Sequence, residues 1–209
     1  MEPITKREDL MTFEHYKYLV LSDLFRITRD KNYSVLIRNI LFGESFKYIF
    51  WMRTCRFMRG KKWLKYTIYP LSLFMLQHYK YKFSIGIPFL TEIGPGFYIG
   101  HFGGIFIYPD CKIGKNCNLS QEVTIGNVPR GQNKGYPTIG DNVYIGPGAK
   151  IIGCVKVGNR VAIGANCVVT KDVPDNAVVV GVPGKIISFE GSEGYVRNTD
   201  YDVKIVREG

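Results

Sequence analysis

Residues 139 to 170 read IGDNVYIGPGAKIIGCVKVGNRVAIGANCVVT. An aliphatic residue recurs at every sixth position: Ile139, Ile145, Ile151, Val157, Ile163 and Val169. Glycine follows it at Gly140, Gly146, Gly158 and Gly164, and four places on from each aliphatic stand Val143, Ala149, Val155, Val161 and Cys167. A helix repeats every 3.6 residues and a strand alternates every two, so neither gives a period of six. Such a period, with glycine at fixed phase, predicts a β-solenoid in which each hexapeptide is one short strand and one turn. The aliphatic residue points inward, and the glycine is expected to let the backbone turn tightly.

The pattern extends towards the N-terminus. Ile87, Ile93, Ile99 and Ile105 keep the period, which then slips by two and resumes at Ile107, Ile113, Leu119 and Ile125. Between Ile125 and Ile139 runs GNVPRGQNKGYPT, which has no apolar rhythm and reads as a loop ejected from the coil over 127–138.

The bulk properties agree with a folded chain. Its 209 residues are 45% hydrophobic, with a mean hydropathy of −0.05, enough to bury a sizeable core. The first twelve residues carry Glu2, Lys6, Arg7, Glu8 and Asp9, so no secretory signal is expected. Cys117 and Cys167 fall at interior repeat positions, and the five cysteines include no C-x-x-C pair. Neither a disulfide framework nor a metal site is expected, and a reducing cytoplasm is.

Three regions are expected: a basic α-helical stretch at 1–82, the solenoid at 83–188 and a C-terminal tail at 189–209. Of the formal net charge of +10, residues 1–82 carry 16 Lys and Arg against 7 Asp and Glu. Ser22 is placed to cap a short helix over 23–29. A second helix is expected over Tyr33 to Phe42, and a third from near Ser45 to Gly60. A fourth would start near Lys61 and bend or restart at Pro70. Lys and Arg between 47 and 65 are interleaved with Tyr48, Phe50, Trp51, Phe57 and Trp63. One reading is a helical cap on the open end of the solenoid. The other is peripheral contact with the inner face of an anionic membrane through 45–82. No RNP, KH or zinc pattern supports nucleic-acid binding.

Chemistry must come from the repeats. His101, in H-F-G-G-I, is the one histidine there and follows a corner glycine directly, so its side chain is expected at the coil surface. An imidazole suits a general base because its ordinary pKa of about 6.5 lies near working pH. Gly103 and Gly104 beside it would expose backbone N–H groups to a developing oxyanion. A tight corner explains the same pair equally well.

Several motifs together resemble the left-handed parallel β-helix acyltransferases with hexapeptide repeats. They are H-F-G-G-I at 101–105, V-T-I-G-N at 123–127, P-T-I-G-D-N-V-Y-I-G-P-G-A-K at 137–150, I-G-A-N-C-V-V at 163–169 and G-V-P-G-K at 181–185. The resemblance covers roughly 84–188 and is nearest to serine O-acetyltransferases and to capsule, O-antigen and colanic-acid O-acetyltransferases. It implies a mainly β fold, acetyl-CoA as donor, no metal, and a homotrimer with active sites between neighbouring coils, trimers pairing into hexamers being a further option. It implies that His101 takes the acceptor's hydroxyl proton. The family's pantetheine groove falls on Gly126, Asn127, Pro147 and Ala165, with Lys185 a partner for the cofactor phosphates; each is also an ordinary turn residue.

The departures from serine acetyltransferases concern the acceptor. Those enzymes have Asp before the catalytic His and a second His before the Pro that ends the loop; here Gly100 and Tyr136 stand there. The Asp that orients their catalytic His would fall near Gly86. Their N-terminal domain is larger and acidic. Neither Gly100 nor Tyr136 supplies a charge for an amino acid, whereas Tyr136 can hydrogen-bond a hydroxyl. The expected acceptor is therefore a sugar hydroxyl in surface-polysaccharide synthesis. The alternative is serine O-acetylation in cysteine biosynthesis.

Overall fold

The structure is a computed structural model. It describes residues 11–206 except Gly60, Lys62, Trp63 and Lys65, and leaves the side chains of 204–206 undescribed. The solenoid forms as a left-handed parallel β-helix. Its first face stacks β1 (Ile85–Gly86), β4 (Ile105–Ile107), β7 (Thr124–Gly126), β10 (Lys150–Ile152) and β13 (Val168–Val169). The second stacks β2 (Glu92–Ile93), β5 (Lys112–Ile113), β8 (Thr138–Ile139) and β11 (Lys156–Val157). The third stacks β3 (Tyr98–Ile99), β6 (Asn118–Leu119), β9 (Tyr144–Ile145), β12 (Ala162–Ile163) and β14 (Val178–Val180), and β15 (Lys185–Ser188) closes it antiparallel.

Coil length follows from the pairing. Ile139 lies beside Val157, Ile145 beside Ile163 and Ile151 beside Val169, eighteen residues apart, or three hexapeptides. Ile125 lies beside Ile151 and Ile113 beside Ile139, twenty-six apart, because the loop after β7 adds eight residues outside the coil. The loop closes on itself through paired N–H···O bonds between Val128 and Gly135. The row of aliphatic residues from Ile85 to Val179 is buried, forming one continuous core.

The glycines of the repeat are not turn residues in the sense expected. The left-handed backbone falls two places later, at Asn116, Asn142, Arg160 and Asn176 on the edge between the second and third faces. Gly114 and Gly140 are required by stacking. A Cβ on Gly114 would lie 2.6 Å from the Gly140 carbonyl oxygen, and one on Gly140 2.7 Å from that of Gly158. On this edge side chains also staple coil to coil. Asp175 accepts from the Asn159 N–H, Asn159 from that of Asp141, and Asp141 from that of Lys115.

The helices differ from expectation at their starts. α1 spans Phe13–Thr28 and is capped by Thr12, whose hydroxyl accepts from the His15 N–H at 3.2 Å. Ser22 is buried inside it and accepts from the Gly96 N–H. α2 (Tyr33–Phe42) falls as expected, and α3 covers Glu44–Arg59. α4 covers Ile68–Phe83, with Pro70 in its first turn, where no intrahelical N–H bond is lost.

These helices close the open end of the first coil. A strand edge left without a neighbour carries unpaired N–H and C=O groups, and buried helix side chains take them. Arg53 donates to the carbonyls of Ile93 and Gly94 at 2.7 Å and pairs with Asp23 at 2.9 Å; the Asp23 carboxylate accepts from the Phe97 N–H. Tyr48 donates to the Ile87 carbonyl and accepts from the Ile87 N–H. Arg56 donates to the Thr91 carbonyl. Two arginines of the basic aromatic stretch thus face the coil and not a membrane. Among the described residues no helix is long and apolar enough to cross a bilayer.

After β15 the chain turns back along the edge between the second and third faces. Ser192 donates its N–H to the Arg160 carbonyl, and Tyr195 stacks on Tyr144 at 4.5 Å. Asn118 donates to the Tyr195 carbonyl and Arg26 to that of Arg197. Tyr201, at the start of α5 (Tyr201–Val206), donates to Asn116. The segment runs from the fourth coil to the helical cap.

Candidate active site

The slip of two in the repeat lies at the histidine. Ile99 pairs with Leu119 and Ile107 with Ile125. The corner from Ile99 to Ile107 is therefore eight residues long, where Leu119 to Ile125 and Ile145 to Ile151 are six. Gly100, His101, Phe102, Gly103 and Gly104 form this enlarged corner between the third and first faces. Gly103 takes φ +110° with open space around it, and Gly104 takes φ +65°.

His101 is exposed, and among the described residues its imidazole has no hydrogen-bond partner. Phe102 anchors the corner by packing its ring on Phe83 of α4, with centroids 4.8 Å apart. The Gly103 carbonyl accepts from the Glu122 N–H at 2.7 Å. Among the described residues the N–H groups of Gly103 and Gly104 donate to no protein acceptor. An unpaired imidazole and unpaired N–H donors thus share one exposed turn.

Below this corner the same edge continues coil by coil. Gly148 donates to the Gln121 carbonyl at 3.0 Å, Asn166 to that of Pro147 at 2.8 Å, Val168 to that of Gly181 at 3.0 Å and Gly184 to that of Val168 at 2.8 Å. Pro147 and the exposed Ala165 lie on it in the third and fourth coils, and Lys185 is exposed at its far end on β15. His101, Gly103, Gly104, Pro147, Ala165 and Lys185 therefore share one edge of the prism.

Gly126, Asn127 and Tyr136 lie on the next edge, between the first and second faces. Tyr136 is half-exposed, with its ring 5.6 Å from that of Tyr108. Partial desolvation raises its hydroxyl pKa, helped by the Asp110 carboxylate, to which it is hydrogen-bonded. Within one chain the first face separates this group from His101. Among the described residues no cluster of His, Cys, Asp and Glu could hold a metal.

Residues 136–171 match the bacterial transferase hexapeptide family, in its six-repeat form. A serine acetyltransferase of Bacillus pumilus is 37% identical over 129 residues, 62% of this chain and 59% of that protein. One of Staphylococcus aureus is 43% identical over 101 residues, 48% of this chain and 47% of that protein. The chain thus spans about half to three-fifths of these relatives. Among solved structures, serine acetyltransferase of Brucella abortus in complex with coenzyme A fits with a TM-score of 0.67 at 27% identity, over 84% of this chain and 69% of that one.

These likenesses correct the expected acceptor. The sugar hydroxyl of a surface polysaccharide finds no support, because the relatives and neighbours are serine acetyltransferases, which favours the alternative. The expectation rested on missing charge at Gly100 and Tyr136. Missing charge at two matched positions does not leave the corner uncharged, because the fold brings Glu122 against it from the next coil.

Proposed function

We propose that the protein is an acetyl-CoA-dependent serine O-acetyltransferase of cysteine biosynthesis, acting in the cytoplasm as a homotrimer. The observation that carries the reading is the enlarged corner, where the unpartnered His101 imidazole stands beside the free N–H groups of Gly103 and Gly104. Likeness to serine acetyltransferases, one of them solved with coenzyme A, supports serine as acceptor and acetyl-CoA as donor.

In this reading His101 takes the proton of the serine hydroxyl as its oxygen bonds to the thioester carbonyl carbon. The carbonyl oxygen becomes an oxyanion facing the Gly103 and Gly104 N–H groups. The intermediate collapses, the C–S bond breaks, and the sulfur takes the proton from His101. Products are O-acetylserine and coenzyme A. From the His101 corner to that of Lys185 are four coil spacings, roughly 19 Å at about 4.8 Å each. That edge suits an outstretched phosphopantetheine arm, with small residues at Pro147 and Ala165 and the Lys185 ammonium for phosphate. In the trimer Gly126, Asn127 and Tyr136 of a neighbouring copy form the opposite wall.

The test is thiol release from acetyl-CoA with L-serine, in the wild type and in His101→Ala. The wild type turns over serine, and the variant binds coenzyme A with unchanged affinity but loses ~10² to 10⁴ in kcat. No release with serine, or a variant within a few-fold of wild type, refutes the reading.

A further inference from the structure

The corners that stack below His101 share one backbone device. Each places a residue near φ +60° in the left-handed region: Gly104 at φ +65°, Glu122 at +61°, Gly148 at +72° and Asn166 at +54°. Glycine adopts this conformation freely, and asparagine is the side chain that tolerates it best. Glutamate does neither; with a Cβ and a long stem it costs about 1 to 2 kcal/mol there. The second coil therefore holds a strained residue where its neighbours use glycine or asparagine.

Strain kept at one position in a stack of equivalents calls for a use of that side chain. Packing does not supply one, because Glu122 is exposed. Pairing does not either: among the described residues its carboxylate has no ion pair or hydrogen bond. What the structure does fix is its place. The Glu122 N–H donates to the Gly103 carbonyl, and its Cγ lies 3.3 Å from where a Cβ on Gly104 would sit. Lys150 holds the other side of the turn by donating its ammonium to the Glu122 carbonyl. The Glu122 stem thus lies against Gly104 and its backbone is tied to Gly103, so a free carboxylate from a different coil is carried beside the turn that follows the histidine.

We propose that Glu122 binds the α-ammonium of the amino-acid acceptor and so sets the preference for an acceptor that carries an amine. The proposal rests on the serine reading above. An ammonium beside the reacting hydroxyl needs an anionic partner within one small molecule's span of His101, and neither Gly100 nor Tyr136 is ionic. Glu122 provides that charge from the turn stacked against Gly103 and Gly104. The same selection explains why a conformationally costly residue persists at this one corner.

The experiment compares wild type, Glu122→Gln and Glu122→Gly on L-serine and on 3-hydroxypropionate, which keeps the hydroxyl and carboxylate but lacks the amine. Glu122→Gln is expected to lower kcat/KM for serine by about 10- to 100-fold, chiefly through KM, as loss of a charged hydrogen bond does. Its kcat/KM for 3-hydroxypropionate and its affinity for coenzyme A stay within twofold. Glu122→Gly loses serine preference to the same degree while its thermal midpoint rises by a few degrees, since the backbone strain is gone. Serine turnover within twofold of wild type in both variants overturns the proposal, as does an equal loss on both acceptors. A wild type inactive on serine removes the parent reading as well, which separates the two failures.

Discussion

The glycines of the hexapeptide show how a single hydrogen in place of a side chain sets coil spacing. Gly140 has an ordinary negative φ, so its need is not conformational; the Gly158 carbonyl of the next coil simply occupies the space. Gly140→Ala is therefore expected to destabilise the protein by about 1 to 3 kcal/mol, the cost of overpacking a tight interior. Urea unfolding measures it, and a midpoint equal to wild type would show that the coils can part without penalty. His101 illustrates the opposite case at this scale. Its type and surface position were legible in the sequence, but its setting was not. The two-residue slip in the aliphatic period was visible, and its meaning, an enlarged corner around the histidine, needed the register of β3, β4, β6 and β7. Glu122 lies outside every motif quoted from the sequence, because it joins the corner only through stacking.

At the scale of elements, edges and caps hold what the strands alone leave loose. Strands of two or three residues contribute few hydrogen bonds each, so the Asp and Asn side chains between coils matter. The N–H and side chain of Asn159 bond the Asp175 carboxylate and hold its pKa below the ordinary value. A depressed folded pKa gives stability that is present above the unfolded value near 3.9 and is lost as pH falls through the folded one. Asp175→Asn is thus expected to flatten the fall in thermal midpoint below about pH 4 while leaving its slope near neutrality unchanged. An unaltered acid limb would mean that the staple does not couple to unfolding. The helical cap makes a stronger demand. Burial pushes the Asp23 carboxyl pKa up, while Arg53 and the Phe97 N–H oppose the shift. Arg53→Ala leaves that carboxylate and the Ile93 and Gly94 carbonyls without their partner, and about 3 to 5 kcal/mol of stability should go with it. A loss below 1 kcal/mol in chemical denaturation, well short of that range, would show that water replaces the guanidinium. Helix periodicity in the sequence located α2 and α3 to within a residue or two. It missed the first half of α1, because Thr12 caps a stretch with a weak apolar rhythm.

In the whole molecule the three edges of the prism carry three different tasks. One holds His101 and the stacked turns below it, the next holds the ejected loop and Tyr136, and the third carries the returning C-terminal segment. That last task was illegible in the sequence. The segment after residue 188 has neither repeat nor helical period, and its order comes from partners on Arg160, Tyr144, Asn118 and Arg26, all distant in sequence. Among the described residues, a chain ending at Ser188 loses seven hydrogen bonds to the rest of the protein at roughly 1 kcal/mol each, and its thermal midpoint is expected to drop by roughly 15 to 30 °C. Turnover at low temperature stays near wild type, because the His101 edge is untouched; a midpoint within 2 °C of the full chain would show that the segment is ornamental, since even 1 kcal/mol moves it by about that much. The eighteen-residue coil also makes the molecule a yardstick. Splicing in one complete turn between β10 and β13 would move the Lys185 end about 4.8 Å further from His101 and leave every strand in phase. An insertion of any other length within a strand would swing its aliphatic residue outward. Along the axis this protein can change its reach only in whole notches, and finer adjustment is open only at the corners.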